Sequence, residues 1–431
     1  MTPEKQGYAT RPCFFPNNRE VLFQTIWSDD LDVIGSRRAY GLRLAAALVV
    51  IPGLLGTAGA ASSSASAPIS APLIAYWNGN SWTQQVAPNP DGSGMLTAVA
   101  AVSPTDAWAL GSSGYSASAP SAQWFNTLAE HWDGSAWQQV AMPTPPSSSG
   151  VHLSGTAVVS STDIWAVGSW ADFGPGDGLV PLIEHWNGLA WSIVPSPVLP
   201  HPVANQGAQL YGVTAVSASD AWAVGYIGTG THHFLILHWD GTSWTRVPAP
   251  HNGPLAVLSG VTAVSATKVW AVGTVHFKWG KHLLTSPVAL RWNGKVWQRM
   301  PNLGAGSLLA VTGSENDISA VGGRSNGGSG RTLIEHWNGR HWKNFVGHTG
   351  YPESIRQPLT GIAMLPSNEL WAVGYHEDTH SLQSQTLIEH FSHGAWSPVS
   401  SMNPARDDWF ASVAAATPTA VWAVGTYFPS S

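Results

Sequence analysis

Thiol chemistry is almost absent from this chain. Its 431 residues include a single cysteine, Cys13, which falls in an N-terminal stretch read below as a removable leader. The rest of the chain then has neither disulfide nor thiolate, which excludes cysteine nucleophiles. Charge is scarce too, at 10% of residues, and the net charge of −6 is a mild acidic excess. Lys and Arg are scattered along the chain, with none of the basic stripe that nucleic-acid binding requires. What abounds is Gly (45), Pro (31) and Trp (24), together with Ser and Thr. Short strands joined by tight turns have that balance; long helices do not.

The one apolar run lies near the start. Residues 36–43 read SRRAYGLR, residues 44–56 read LAAALVVIPGLLG, and Ala58-Gly59-Ala60 follows. A basic stretch, an apolar run and small residues in that order predict a secretory signal within 1–60, behind a long lead-in, and hence a secreted protein. Arg37-Arg38 after Ser36 resembles a twin-arginine export signal. The run is short for a membrane span and Pro52-Gly53 interrupts it, so no stable span is expected in the mature form and an uncleaved anchor is the minor alternative. Residues 61–70 are a low-complexity linker.

From 71 to 431 two motifs alternate. One is an aromatic hairpin: WNGNSW at 77, WDGSAW at 132, WNGLAW at 186, WDGTSW at 239, WNGKVW at 292, WNGRHW at 337 and FSHGAW at 391. The other is an apolar strand ending in glycine, WALG at 108 and WAVG at 165, 222, 270, 371 and 422, with a degenerate SAVG at 319. Each occurs seven times at a period near 50, the mark of a propeller. Strand one is of the Gly212–Val216 type, strand two runs from Ala221 to Gly225, strand three is of the Leu182–Trp186 type and strand four runs from Trp191 to Val194. The Asn-Gly or Asp-Gly pair predicts a two-residue hairpin with both φ positive.

The order of the motifs tells how the ring closes. The propeller region opens with a three–four hairpin (71–86) and ends with a one–two pair (410–427), which together make one blade. The fold predicted is all-β: a seven-bladed β-propeller of four-stranded antiparallel blades with 2+2 closure, which removes the free edge that an open ring would expose. At this level the chain resembles the kelch family, as in the central domain of galactose oxidase: apolar strand, glycine-ended strand, aromatic before Asp, then Trp. The paired glycine of that family stands here only at Gly322-Gly323. The resemblance implies architecture, and activity does not follow from it. Galactose-oxidase chemistry needs a Cys–Tyr cross-link, which the mature chain, left without cysteine once the leader is removed, is not expected to make.

Residues that recur in every blade read as packing. Nineteen of the 24 Trp occupy the motif positions, and the pairs Glu130-His131, Glu184-His185, Glu335-His336 and Glu389-His390 read as structural hydrogen bonds. Five are left over: Trp27 in the leader, and Trp124, Trp170, Trp279 and Trp409 beyond it. The one–two and three–four turns are short, so the variable segments all fall on the opposite face, the natural place for function. Trp124, Phe125, Trp170 and Trp409 with Asp172, Asp177, Asp407 and Asp408 form the candidate ligand site, aromatic faces for sugar C–H groups and acids for hydroxyls. The alternative is that these rings fold back over their own loops. His376, Asp378 and His380 are a candidate divalent-metal set, weighed against simple solvation. No nucleophile elbow, phosphate loop or zinc-helix motif appears, and no cofactor is expected. The leading expectation is a monomeric, secreted, non-catalytic module for a carbohydrate or cell-surface ligand. A polysaccharide lyase or hydrolase, and a protein–protein scaffold, are the alternatives.

Overall fold

Six aromatic hairpins close differently from the predicted two-residue turn. Trp77 pairs directly with Trp82 across the strands, as do the corresponding tryptophans of the other five. Each loop is therefore four residues long, and only its glycine is left-handed (φ 94° at Gly79). The preceding side chain does the remaining work: Asn78 Oδ1 accepts the backbone N–H groups of Asn80 and Ser81 at 2.9 and 3.0 Å. Short polar side chains favour turns for this reason. The two-residue turn with both φ positive occurs at the seventh hairpin, which lacks the dipeptide. There Ser392 pairs with Ala395, and His393 and Gly394 take φ of 53° and 81°.

The computed structural model describes residues 70–115, 126–146, 148–172, 178–199, 207–228, 231–250, 255–279, 282–301, 303–326, 329–345, 347, 354–378, 381 and 383–429. The leader and linker (1–69), the long segment 116–125 and several shorter connections lie outside them. Within the described residues there are seven antiparallel sheets and no helix. No helix there is long and apolar enough to cross a membrane. Blades one to six span 94–140, 150–193, 208–246, 255–299, 307–345 and 354–399. The closing blade takes Asp408–Thr417 and Ala420–Tyr427 from one end of the chain and Ala71–Trp77 and Trp82–Gln85 from the other. Ala71 to Trp77 pair without a break against Tyr427 to Val421, so the join is a full ladder. Blade six varies the plan. Its first strand is split into Ser354–Arg356 and Leu359–Met364, both paired with Leu370–Asp378, because Pro358 between them has no N–H to donate.

The first strands pack against one another around the ring, the closing blade meeting both blade six and blade one. Each carries a bulge at the same place, as between Leu210 and Gly212 and between Leu258 and Gly260. Small residues after the bulge let these backbones approach: a Cβ on Gly260 would meet Ala310 Cα at 3.0 Å. The bulged Thr97 and Thr360 donate from Oγ1 to the carbonyls of Leu153 and Phe410 in the next blade, at 2.6 and 2.7 Å.

Further out, tryptophan fills the seams. The second-strand Trp of each blade packs against both hairpin tryptophans of the next, as Trp108 does with Trp186 and Trp191 at 4.8 and 5.5 Å between ring centroids. The second of these contacts is edge-on in all six seams that have it, a favoured aromatic geometry. Between blades five and six the pattern fails. Ser319 replaces the tryptophan, its hydroxyl sits 3.2 Å from His336 Nδ1, and Phe345 reaches Phe391 of blade six instead, at 6.1 Å.

Candidate functional site

The recurring acid–histidine pairs are part of this scaffold, though not as Glu–His hydrogen bonds. Neighbours on a strand point to opposite faces. The histidine turns towards its own second strand: His131, His185 and His238 lie 2.9, 2.8 and 3.0 Å from Asp106, Asp163 and Asp220. Each ring also lies on the blade's tryptophan, as His131 on Trp108 at 4.5 Å. Blade four has Arg291 in that role, 5.6 Å from the Trp270 centroid.

The glutamates point the other way and are buried. Glu335 accepts from the Gly304 N–H at 3.0 Å and from Asn344 Nδ2 at 3.2 Å. Glu130 and Glu184 are fully buried, and neither carboxyl has a hydrogen-bond partner among the described residues. Burial alone pushes both up to about 8, so each is held as the neutral acid near neutral pH.

With the repeated chemistry assigned, the variable face holds the candidates. The strand order puts every two–three and four–one connection on that face. Trp124, Phe125, Asp177 and His380 lie outside the described residues. Asp172 ends the second strand of blade two, paired with Gly178. Trp170 is half-buried and packs on the core between blades one and two. Asp407, Asp408 and Trp409 begin the closing blade. Trp409 is half-buried beside Phe428, with centroids 5.3 Å apart. Asp407 Oδ1 accepts the Ser384 N–H at 3.2 Å, tying the closing blade to blade six. Asp408 is fully buried; burial raises its carboxyl to about 6 against the Ala405 N–H bond, and the Asp407 charge adds to the rise.

Of the metal candidates, His376 is buried, and burial holds its imidazole below the usual range against the pull of Asp378. The Asp378 carboxylate caps a turn, accepting from the Ser381 N–H and hydroxyl at 2.8 and 3.0 Å. Among the described residues no three ligand-type side chains gather in a metal-holding group.

His376 has another setting. Where the outer strand of blade six leaves its neighbour after Val399, a cleft of about 260 Å³ opens, with His376, Gln385, Thr386, Ser401 and Asn403 among its lining. Asn403 Oδ1 accepts the Thr386 N–H at 2.8 Å and the Thr386 hydroxyl at 3.0 Å. The connection that carries Ser401 and Asn403 runs on to Asp407, Asp408 and Trp409. Sequence reasoning missed these polar residues, although a repeat signalled them. Thr127 holds Met142 and Thr144 in blade one as Thr386 holds Met402 and Asn403 in blade six. Also missed was an aromatic cluster in blade three. There Tyr226 stacks on His232 at 4.3 Å, and the Tyr211 hydroxyl donates to Gln209 Oε1 at 3.2 Å.

No protein-family model matches the chain, and no curated protein matches it in sequence. Solved structures do. The structure of YCF48 bound to D1 peptide is similar over 78% of this chain and 94% of that one, at 12% identity and a TM-score of 0.46. YCF48 from Cyanidioschyzon merolae covers 78% and 95%, at 12% identity and 0.42. The six-bladed fucose-recognising lectin of Aleuria aurantia covers 71% and 95%, at 12% identity and 0.41. By its own sheets and its own closure, this chain is a seven-bladed β-propeller with one face of short turns and one of long connections.

Proposed function

We propose that the chain is an exported, non-catalytic binding module that takes a carbohydrate or cell-envelope ligand on its variable face. The observation that carries this reading is the cleft beside the closure. An imidazole, two amides and three hydroxyls line it beside four apolar residues, and its connecting strap leads to the half-buried indole of Trp409. Sugar hydroxyls need donors and acceptors at fixed angles, and a sugar's C–H face suits an aromatic ring, so a polar-lined cleft with an indole further along the same connection matches that chemistry. Trp170 and Asp172, at the end of the second strand of blade two, belong to the same reading, with Trp124, Phe125 and Asp177 as candidates by sequence alone. Export rests on the basic, apolar and small-residue segments of the leader, and the kelch-like character of the repeat belongs to the same reading.

The test is a glycan array probed with the chain from residue 61 onwards, beside a reducing-end assay on a panel of polysaccharides. Selective retention of a few related glycans, with no reducing ends released, is the expected result. Uniform absence of retention sinks the binding reading, and released reducing ends sink the non-catalytic one.

A further inference from the structure

Folding sorts the charges by blade. Residues 71–240 supply half of the closing blade and nearly all of blades one to three; they contain ten Asp and Glu and no Lys or Arg. Residues 241–314 run from the outer strand of blade three through blade four into the first strand of blade five. They contain seven Lys and Arg and no Asp or Glu. Seven of the thirteen Lys and Arg after residue 70 therefore fall in one sector of the ring, free of acids.

Two of the seven have structural work: Lys268 is paired with Glu315, and Arg291 lies over Trp270. Others stand exposed on the rim. Arg246 and Arg299 end the outermost strands of blades three and four, opposite Leu237 and Leu290, and so occupy equivalent points of neighbouring blades. Lys295 is exposed in the blade-four hairpin, and Arg340 and Lys343 are exposed on blade five, where the Arg246 position itself is Asn344 and Lys343 lies over Phe345. At the Arg246 position the closing blade and blades one and two carry Gln84, Gln139 and Ile193, all neutral. The acid at the start of this stretch, Asp240, has its carboxylate drawn into its own turn by Thr242 and Ser243.

We propose that the rim of blades three to five is a docking surface for a linear, uronate-bearing polysaccharide. Charge complementarity selects a polyanion, and guanidinium forks match carboxylates in two-pronged pairs. Shape selects a flexible chain. The cations come one or two per blade along a convex edge, which a polymer can follow, whereas a flat bilayer or the body of a second copy meets it over a narrow strip. Neighbouring Thr245, Gln298 and Asn344 are exposed and neutral, suited to hydroxyls between the charges. This site is separate from the variable-face cleft, and its failure leaves that reading intact.

Affinity electrophoresis of the full chain in gels containing polygalacturonate or neutral dextran tests the assignment. Polygalacturonate should retard the protein and dextran should not, with retardation falling as salt rises. Combining Arg246→Glu, Arg299→Glu and Lys343→Glu should weaken binding roughly tenfold or more, with the melting temperature nearly unchanged. Adding negative charge on the far rim, Gln84→Glu with Gln139→Glu, should leave it as it was. Equal retardation of the triple variant, equal loss in the far-rim variant, or retardation by dextran would overturn the proposal. Binding confined to phosphatidylglycerol vesicles, or concentration-dependent self-association without polymer binding, would overturn it equally.

Discussion

In blade two the His185 imidazole lies 2.8 Å from the Asp163 carboxylate and rests on the Trp165 indole, with ring centroids 4.4 Å apart. One contact fixes the other, since the hydrogen bond sets the ring plane that the indole packs against. Asp163→Ala and His185→Ala should each lower stability, and their effects should not add. A double-mutant cycle by chemical denaturation should give a coupling of about 1 kcal/mol. A coupling near zero would mean that the two side chains act independently.

The seam between blades five and six lacks its tryptophan, and Phe345 fills part of the gap by reaching Phe391. Ser319→Trp alone should therefore overpack the seam and destabilise the protein by roughly 1–3 kcal/mol. Adding Phe345→Ala should recover much of that loss. Thermal unfolding of the three variants checks this; a stabilised Ser319→Trp protein would show that the seam is open rather than repacked.

Glu130 and Glu184 give a pH dependence of definite sign. Both carboxyls are raised by burial from 4.5 to about 8. A raised carboxyl favours the fold fully below its unfolded value, and that contribution is lost as pH rises through the folded value. The protein should lose stability between about pH 4.5 and pH 8 on this account. Glu130→Gln and Glu184→Gln, which cannot ionise, should raise the melting temperature more at pH 8 than at pH 5. Equal shifts at both pH values would show that these acids are not held neutral.

The closing blade depends on the hairpin at 71–86. Deleting it uncovers the edge formed by Ala420–Tyr427, which the native fold pairs along its whole length. A chain starting at residue 87 should aggregate, because an unpaired edge strand is a template for another chain. Size-exclusion chromatography checks this, and a monomeric, folded truncation would contradict the closure argument.

The ring was legible because its signals are local and repeated: seven hairpins, seven glycine-ended strands and a displaced pair at each end. What stayed hidden depends on pairing across strands. Trp77 and Trp82 look like the flanks of a two-residue turn until their direct pairing shows a four-residue loop. His185 sits beside Glu184 in sequence, yet its partner is Asp163, a strand away. The Thr386–Asn403 contact repeats the 17-residue spacing of Thr127 and Thr144, but with a different partner side chain, so the two copies do not look alike in sequence. The basic sector is a contiguous stretch of sequence, 241–314, but its place in the ring emerges only when blade boundaries divide the chain. Of the ligand candidates, Trp170 proves to pack on the core, and Asp407 and Trp409 stand at the start of the closing blade, with Asp407 bonded to Ser384 next to the cleft residue Gln385.

The central claim is that repeated residues hold the ring while unrepeated ones at the closure hold a ligand. The direct measurement pairs the binding constant for an array-selected glycan with the melting temperature in three variants. Trp222→Ala, a buried seam residue, should cost about 3–5 kcal/mol of stability. Gln385→Ala and Trp409→Ala should lower affinity at least roughly tenfold, as expected when buried polar or aromatic ligand contacts are lost, and should cost far less stability. Unchanged affinity in both closure variants, with the glycan still bound, would contradict the account.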